Sequence, residues 1–300
     1  MLNLLKIDMN SNNDIKIDIK GNLEVLLVLC SMTQDRYDIA KKVIKSITSF
    51  FETTNCKLWV LDNGSKLKID LENYPQGTTV INFNNNIGYW GALHWFLNSG
   101  SSPISKVNKK YLYIVESDHI HFNMLELKKV VEFLETNHKI NCVRVQEFSV
   151  RNRFMYSKEA RYLPFRKMRS IVSLRDNVTN KKAEFLRSSK GSQIYISNLH
   201  SRLPSVFRLE VLRLVFHRLA ELNNFTEKDF YKVTHTFSQT IGILDGGIFF
   251  PASSASNSHK IQSGSWGKNY FGNMTNYIPT RVSSISNQDL NNQIFSVFEK

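Results

Sequence analysis

The sequence predicts an α/β fold, a mostly parallel sheet flanked by helices. Three observations carry that expectation: continuous apolar runs of strand length, helical stretches with one apolar face between them, and polar residues gathered just after the runs. A run that is apolar throughout, rather than alternating, marks a strand covered on both faces, as parallel strands are.

Residues 1–20 alternate in KIDIK and carry an Asn/Ser cluster, the pattern of a short edge strand or leader. Glu24–Cys30 (EVLLVLC) is the first buried strand. Arg36–Phe51 is a helix, with Ile39, Ala40, Val43, Ile44, Ile47, Phe50 and Phe51 on one face. Lys57–Leu61 is a second strand that runs into the turn signal Asp62-Asn63-Gly64-Ser65. Thr79–Phe83 is a third strand, and Tyr89–Leu97 an aromatic-rich helix whose Trp90 and Trp95 belong to the core. Tyr111–Val115 is the fourth strand. Asn123, three residues before Glu126, makes a capping-box pattern for a helix over Met124–Thr136. Asn141–Val145 is a fifth strand.

Beyond Phe148 the periodicity is lost until Ser205–Leu222, where apolar residues recur at helical spacing. A second helix is expected from Thr226, and Ile241–Phe250 is a strand interrupted by Gly246-Gly247. Ser253–Asn276 is rich in Ser, Gly and Asn and reads as loop. Within it Ser263–Asn276 combines glycine hinges with Trp266, Tyr270 and Phe271, a composition suited to a closing lid. The chain therefore divides at about residue 148 into halves 21–148 and 149–300, expected to form one compact domain.

A chain of 300 residues with 42% apolar content can bury a full core. No window approaches the ~20 apolar residues of a membrane span, and the N-terminus lacks the apolar stretch of a secretory signal. Cys30, Cys56 and Cys142 are odd in number and widely spaced, the usage of buried reduced thiols rather than a disulfide framework or zinc site. A cytoplasmic or cytoplasm-facing location is the expectation. The net charge of +13 is uneven, because Arg151–Arg202 holds thirteen Lys/Arg against three acids. Such a segment suits nucleic acid, an anionic membrane surface or a phosphate-bearing substrate, or is a solvated basic face. Arg166, Lys167 and Arg169 beside Leu163, Phe165 and Met168 suit a membrane interface.

The stretch YLYIVESDHIHFN carries the most chemistry. An apolar strand runs straight into Glu116-Ser117-Asp118, and carboxylates at the end of a buried strand are costly without a positive partner. A divalent cation, Mn²⁺ or Mg²⁺, that also grips a diphosphate supplies one. A pair of solvated loop acids is the plainer alternative. His119 and His121 are alternative ligands for a transition metal. They are expected on opposite sides of their segment, with His119 at best supporting a ligand from behind. In a parallel sheet ligands bind beyond the carboxyl ends of the strands. Ser31, Asp62, Asn84–Asn86, Glu116 and Asp118 all fall there.

The succession VLLVLCSMTQ, LWVLDNGS, NFNNNIGYWGALHWFLN and YLYIVESDH resembles the GT-A fold glycosyltransferases, in particular the family 2 type, over residues 23–145. The resemblance implies a Rossmann-like nucleotide-sugar-binding half followed by an acceptor-side half. It implies donor contacts from Ser31, Asp62, Asn86, Gly88 and Glu116, and a metal held by Asp118, with His259 completing its shell. Glu116 departs from the family, which has Asp at that position. The acidic stretch Phe225–Asp229 stands where the family's catalytic base falls, which makes Glu227 and Asp229 candidates and Asp245 their rival. Thr226 and Asp229 also match a plain helix cap. The implied activity is inverting transfer of a sugar from a UDP- or GDP-sugar to a glycan or glycolipid acceptor; the expectation of peripheral membrane contact comes from the basic segment Arg151–Arg202.

Two other classes fit less well. A sugar-phosphate nucleotidyltransferase would need a glycine-rich loop after the first strand, and Ser31-Met32-Thr33-Gln34 has none. A nucleic-acid-binding protein would show a reader motif, and none is recognisable. A nicotinamide enzyme is excluded by the missing GxGxxG.

Overall fold

The computed structural model describes residues 19, 22–145, 205–222, 227–244 and 247–251. It also describes short strands at 174–175, 182–183, 185–187, 194–197 and 281–284. In chain order the strands are β1 (Leu23–Leu29), β2 (Lys57–Asn63), β3 (Thr79–Phe83), β4 (Tyr111–Glu116), β5 (His119–His121) and β6 (Cys142–Arg144). They continue with β7 (Leu174–Arg175), β8 (Lys182–Ala183), β9 (Phe185–Arg187), β10 (Ile194–Ser197), β11 (Ser205–Arg208), β12 (Ile241–Leu244), β13 (Phe249–Pro251) and β14 (Arg281–Ser284). The α-helices are α1 (Gln34–Thr53), α2 (Tyr89–Asn98), α3 (Leu127–Thr136), α4 (Leu209–Glu221) and α5 (Glu227–Phe237).

One sheet holds most strands, in the order β14-β3-β2-β1-β4-β11-β6-β12-β10-β9. β3, β2, β1 and β4 run parallel to one another, as does β12 to β6, whereas β14 is antiparallel to β3 and β11 is antiparallel to both β4 and β6. The expected mostly parallel α/β sheet is present. β1 shows why its sequence is apolar throughout: all seven residues are buried. Val25, Leu27 and Leu29 join the core under α1 and α3, while Leu26 and Val28 join the core under α2, α4 and α5. Each such side chain contributes about 1.5–3 kcal/mol on full burial. Trp90 and Trp95 lie in the second core, as expected.

Several boundaries differ from the sequence reading for physical reasons. Ser205–Arg208 is a strand, not the first turn of a helix, because its backbone pairs with β4 and β6 and Ser205, Val206 and Phe207 are buried between them. β5 was not anticipated. Three residues are too few to show a period, and its partner β13 lies more than a hundred residues on. The Asn123 capping box does not form. A 3₁₀ turn over Met124–Glu126 precedes α3, and Asn123 makes no side-chain cap. β2 extends to Asn63, so Asp62 is in the strand rather than the turn. Cys30 and Cys56 are half-buried rather than buried, and all three cysteines are free thiols. No helix among the described residues is long and apolar enough to cross a membrane.

Candidate active site

The strand register sets the site. Leu29 is level with Asp62, Asp62 with Asn82, and Val28 with Glu116. The loops after β1, β2, β3 and β4 therefore leave the sheet along one edge.

Short polar bonds fix those loops to each other. The Asn63 amide donates to Asn86 Oδ1 at 2.9 Å, and its Oδ1 accepts the Ile87 N–H at 2.9 Å. Asn86 Oδ1 also accepts the Gly88 N–H at 2.8 Å, and Asn86 Nδ2 lies 3.2 Å from Cys30 Sγ. Gly64 has φ 70°, and a Cβ there would sit 2.3 Å from the backbone of Asn85 and Asn86. Only glycine lets these two loops approach so closely. Ser31 is buried; its N–H donates to Ser65 Oγ at 2.8 Å, and its carbonyl accepts from the Lys66 and Leu67 N–H groups. Gly88 precedes α2 with φ 80°, and its bond to Asn86 sets the start of that helix beside the same edge.

Asp62 is only 4% exposed. Its Oδ1 accepts the Ser65 N–H at 2.9 Å, and its Oδ2 accepts from Lys68 Nζ at 2.7 Å. The carboxylate thus organises its own loop as a turn-forming aspartate does. Burial pushes the Cys30 thiol up, and the nearby Asp62 charge adds to the effect.

Glu116, Asp118 and His119 form the centre of the edge. They offer ligand atoms that all lie within 4.8 Å of one another. Glu116 Oε1 accepts from Tyr89 Oη at 3.2 Å, and Asp118 Oδ2 accepts from Arg36 Nη1 at 3.3 Å. Their second oxygens face the His119 ring: Nε2 is 3.6 Å from Asp118 Oδ1 and 3.9 Å from Glu116 Oε2. Burial pulls the His119 imidazole down to about 4 against the opposing pull of Asp118, so the ring is neutral at neutral pH. A neutral imidazole with two carboxylates is a donor set suited to a divalent cation. About 2.1 Å bonds in an octahedral shell place donors about 3.0 Å apart when adjacent and about 4.2 Å apart when opposite, and the distances from His119 Nε2 to the two carboxylates, 3.6 and 3.9 Å, lie between those values.

The two histidines share a face, contrary to the sequence expectation, because residues two apart on a strand point the same way. Both rings lie against buried Phe249, at 4.3 Å for His119 and 5.5 Å for His121. They still divide their tasks. His121 Nε2 pairs with Tyr113 Oη at 2.8 Å, beneath the site, and burial brings His121 down to about 3.

Of the other expected residues, Glu227 opens α5 and Asp229 lies in its first turn, 3.6 Å from Lys232 Nζ. Asp245 and His259 lie outside the described residues, as do Ser263–Asn276 and, apart from β7–β10, the basic segment. Arg36, Asn63 and Tyr89 were missed. Only Asn63, inside the quoted Asp-Asn-Gly-Ser turn, carried a local signal.

No family model and no curated protein matches this chain. Solved structures similar in chain trace include S. aureus TarS 1–349, at 14% identity over 77% of this chain, with a TM-score of 0.45. A CMP:2-keto-3-deoxy-manno-octonic acid synthetase complexed with CTP aligns at 7% identity over 75% of this chain and 88% of its own, TM-score 0.40. A UDP-glucose pyrophosphorylase complexed with UDP-glucose aligns at 6% identity over 76% and 91%, TM-score 0.41. The parallel order β3-β2-β1-β4 with helices on both faces is by itself a Rossmann-like arrangement. This chain spans 60% of the TarS chain it matches.

Proposed function

We propose that the protein is a metal-dependent glycosyltransferase that moves a sugar from a nucleotide diphosphate sugar to a saccharide or lipid-linked acceptor, with inversion. The convergence of Glu116, Asp118 and His119 at the end of β4, beside the loops of β1 to β3, carries this reading. Asp118 and Glu116 hold Mn²⁺ or Mg²⁺, with His259 a further candidate. A cation held there would supply positive charge to the diphosphate, the group that leaves when the sugar–phosphate bond of the donor breaks. Arg36, already facing Asp118, adds positive charge at the same place.

Around that centre the chain's own groups bind and orient the donor. Asp62 accepts hydrogen bonds from a base N–H or ribose hydroxyl, as an acceptor-only side chain can. Ser31, Asn86 and Gly88 shape the floor, and the positive end of the α2 dipole favours an anion. Glu227 or Asp229, with Asp245 as rival, takes the acceptor hydroxyl proton. The basic segment Arg151–Arg202 faces an anionic acceptor or the membrane surface presenting it.

The test is a thermal-shift panel of UDP- and GDP-sugars with and without Mn²⁺ or Mg²⁺, followed by a transfer assay with Asp118→Asn. Selective, metal-dependent stabilisation by one donor and loss of transfer in the folded variant are expected. Wild-type turnover in Asp118→Asn would refute the reading.

A further inference from the structure

We infer that His119 is a direct ligand of the cation at this site, which makes the site a Glu/Asp/His centre that selects Mn²⁺ over Mg²⁺. The inference rests on the proposal that a divalent cation binds here, and not on which sugar is moved.

Four observations carry it. The His119 side chain is 9% exposed, and Nε2 points at both acidic side chains from 3.6 and 3.9 Å. Those distances are too long for hydrogen bonds. A buried imidazole nitrogen aimed at two carboxylates without bonding either fits a site with room for an ion between them. Second, each carboxylate spends its far oxygen on an orienting donor, Arg36 for Asp118 and Tyr89 for Glu116. The oxygens that face His119 are thereby held in place. Third, the ring is positioned by stacking on Phe249 at 4.3 Å, interplanar angle 31°. Fourth, β5 is fixed along its short span: all three residues pair with β13, and the His121 N–H also donates to Ser46 Oγ at 3.0 Å. The imidazole needs no rearrangement to bind, so little ordering entropy is lost.

The ligand type decides the metal. Mg²⁺ is hard, favours oxygen and keeps several waters, whereas imidazole nitrogen favours first-row transition metals. An all-oxygen pair of acids would accept either ion. Adding one imidazole tilts the site toward Mn²⁺, and further toward Co²⁺.

The experiment measures Mn²⁺ binding to the full chain, alone and with UDP or GDP, in the absence of any sugar donor. Calorimetry supplies the affinities of Mn²⁺ and Mg²⁺. Pulsed electron paramagnetic resonance then detects whether an imidazole ¹⁴N is bonded to the Mn²⁺. Wild type is expected to show ¹⁴N coupling and to prefer Mn²⁺ by about tenfold or more. H119Q should lose the coupling and most of the preference, while H217Q, at an exposed histidine of α4, keeps both. Circular dichroism confirms that the variants fold; if H119Q does not, the H259Q spectrum decides, because coupling that persists there supports His119 and coupling that vanishes there overturns the inference. Absence of ¹⁴N coupling in wild type under all conditions, or its survival in folded H119Q, overturns the inference. Wild type that shows the coupling yet, in the separate assay, transfers no sugar from any UDP- or GDP-sugar would instead count against the proposed function.

Discussion

Arg36 in the first turn of α1 and Asp118 after β4 form an ion pair at 3.3 Å across a sequence separation of 82 residues. Their side chains are 14% and 19% exposed. This pair locks the loop after β1 to the acid-bearing loop after β4. Arg36→Gln should therefore lower stability by about 1–3 kcal/mol in chelator, the range for a charged hydrogen bond that is mostly out of water. In saturating Mn²⁺ the loss should shrink, because the cation then supplies Asp118 with a positive partner. Urea midpoints with and without metal check both halves; an equal loss under both conditions would sink the exchange.

Asp62 has two separable duties. Asp62→Ala deprives the buried Ser65 N–H of its acceptor, which should cost about 1–3 kcal/mol. If it also meets the nucleotide, Asp62→Asn should weaken binding of UDP or GDP, while Lys68→Met, which removes only the ion pair, should not. Calorimetry with the nucleoside diphosphates separates these. Equal affinities in Asp62→Asn and wild type would leave Asp62 as a loop former alone.

Gly64→Ala should cost at least about 2 kcal/mol, since the positive φ disfavours any side chain and the new Cβ would strike backbone. Nucleotide affinity should fall with it, because the loops after β2 and β3 must part to make room. A variant with an unchanged melting temperature and affinity would contradict the close approach.

Burial, aided by nearby His217, lowers His94 to about 4 from its ordinary 6.5. The unfolded chain takes up a proton at about 6.5 that the folded chain refuses until about 4. His94 thus favours the folded state above the upper value, and that contribution is lost as pH falls through the window. His94→Gln should flatten the decline of stability over this range relative to wild type. Superimposable pH profiles of the two proteins would refute it.

For the acceptor side, Glu227→Gln or Asp229→Asn should abolish transfer while leaving donor binding intact if either is the base. Retained transfer in both would redirect attention to Asp245.

Much of this fold was legible because buried strands and one-faced helices write themselves as local patterns. β1, α1, β3 and α2 came within two or three residues of their places, and the edge collecting Asp62, Glu116 and Asp118 followed from their succession. What escaped depends on distant partners. Ser205–Arg208 has helix-compatible spacing, and only the gap between β4 and β6 makes it a strand. His119 looked peripheral because nothing nearby in sequence announces Phe249, the ring that turns it toward the acids. Asn63 and Asn86 resemble ordinary loop asparagines until the two loops are seen clasped together.

The insertion of β11 between β4 and β6 bears on how the protein is made. β4 carries the acids, yet one of its two edges is closed by residues translated about ninety positions later. At ~5–20 residues per second, a ribosome takes roughly 5–18 s to deliver them. Through that interval the nascent chain presents an apolar strand with open backbone donors and acceptors, the kind of surface that recruits another copy or a chaperone. A fragment ending near residue 150 would keep that edge open indefinitely and should aggregate where the full chain does not.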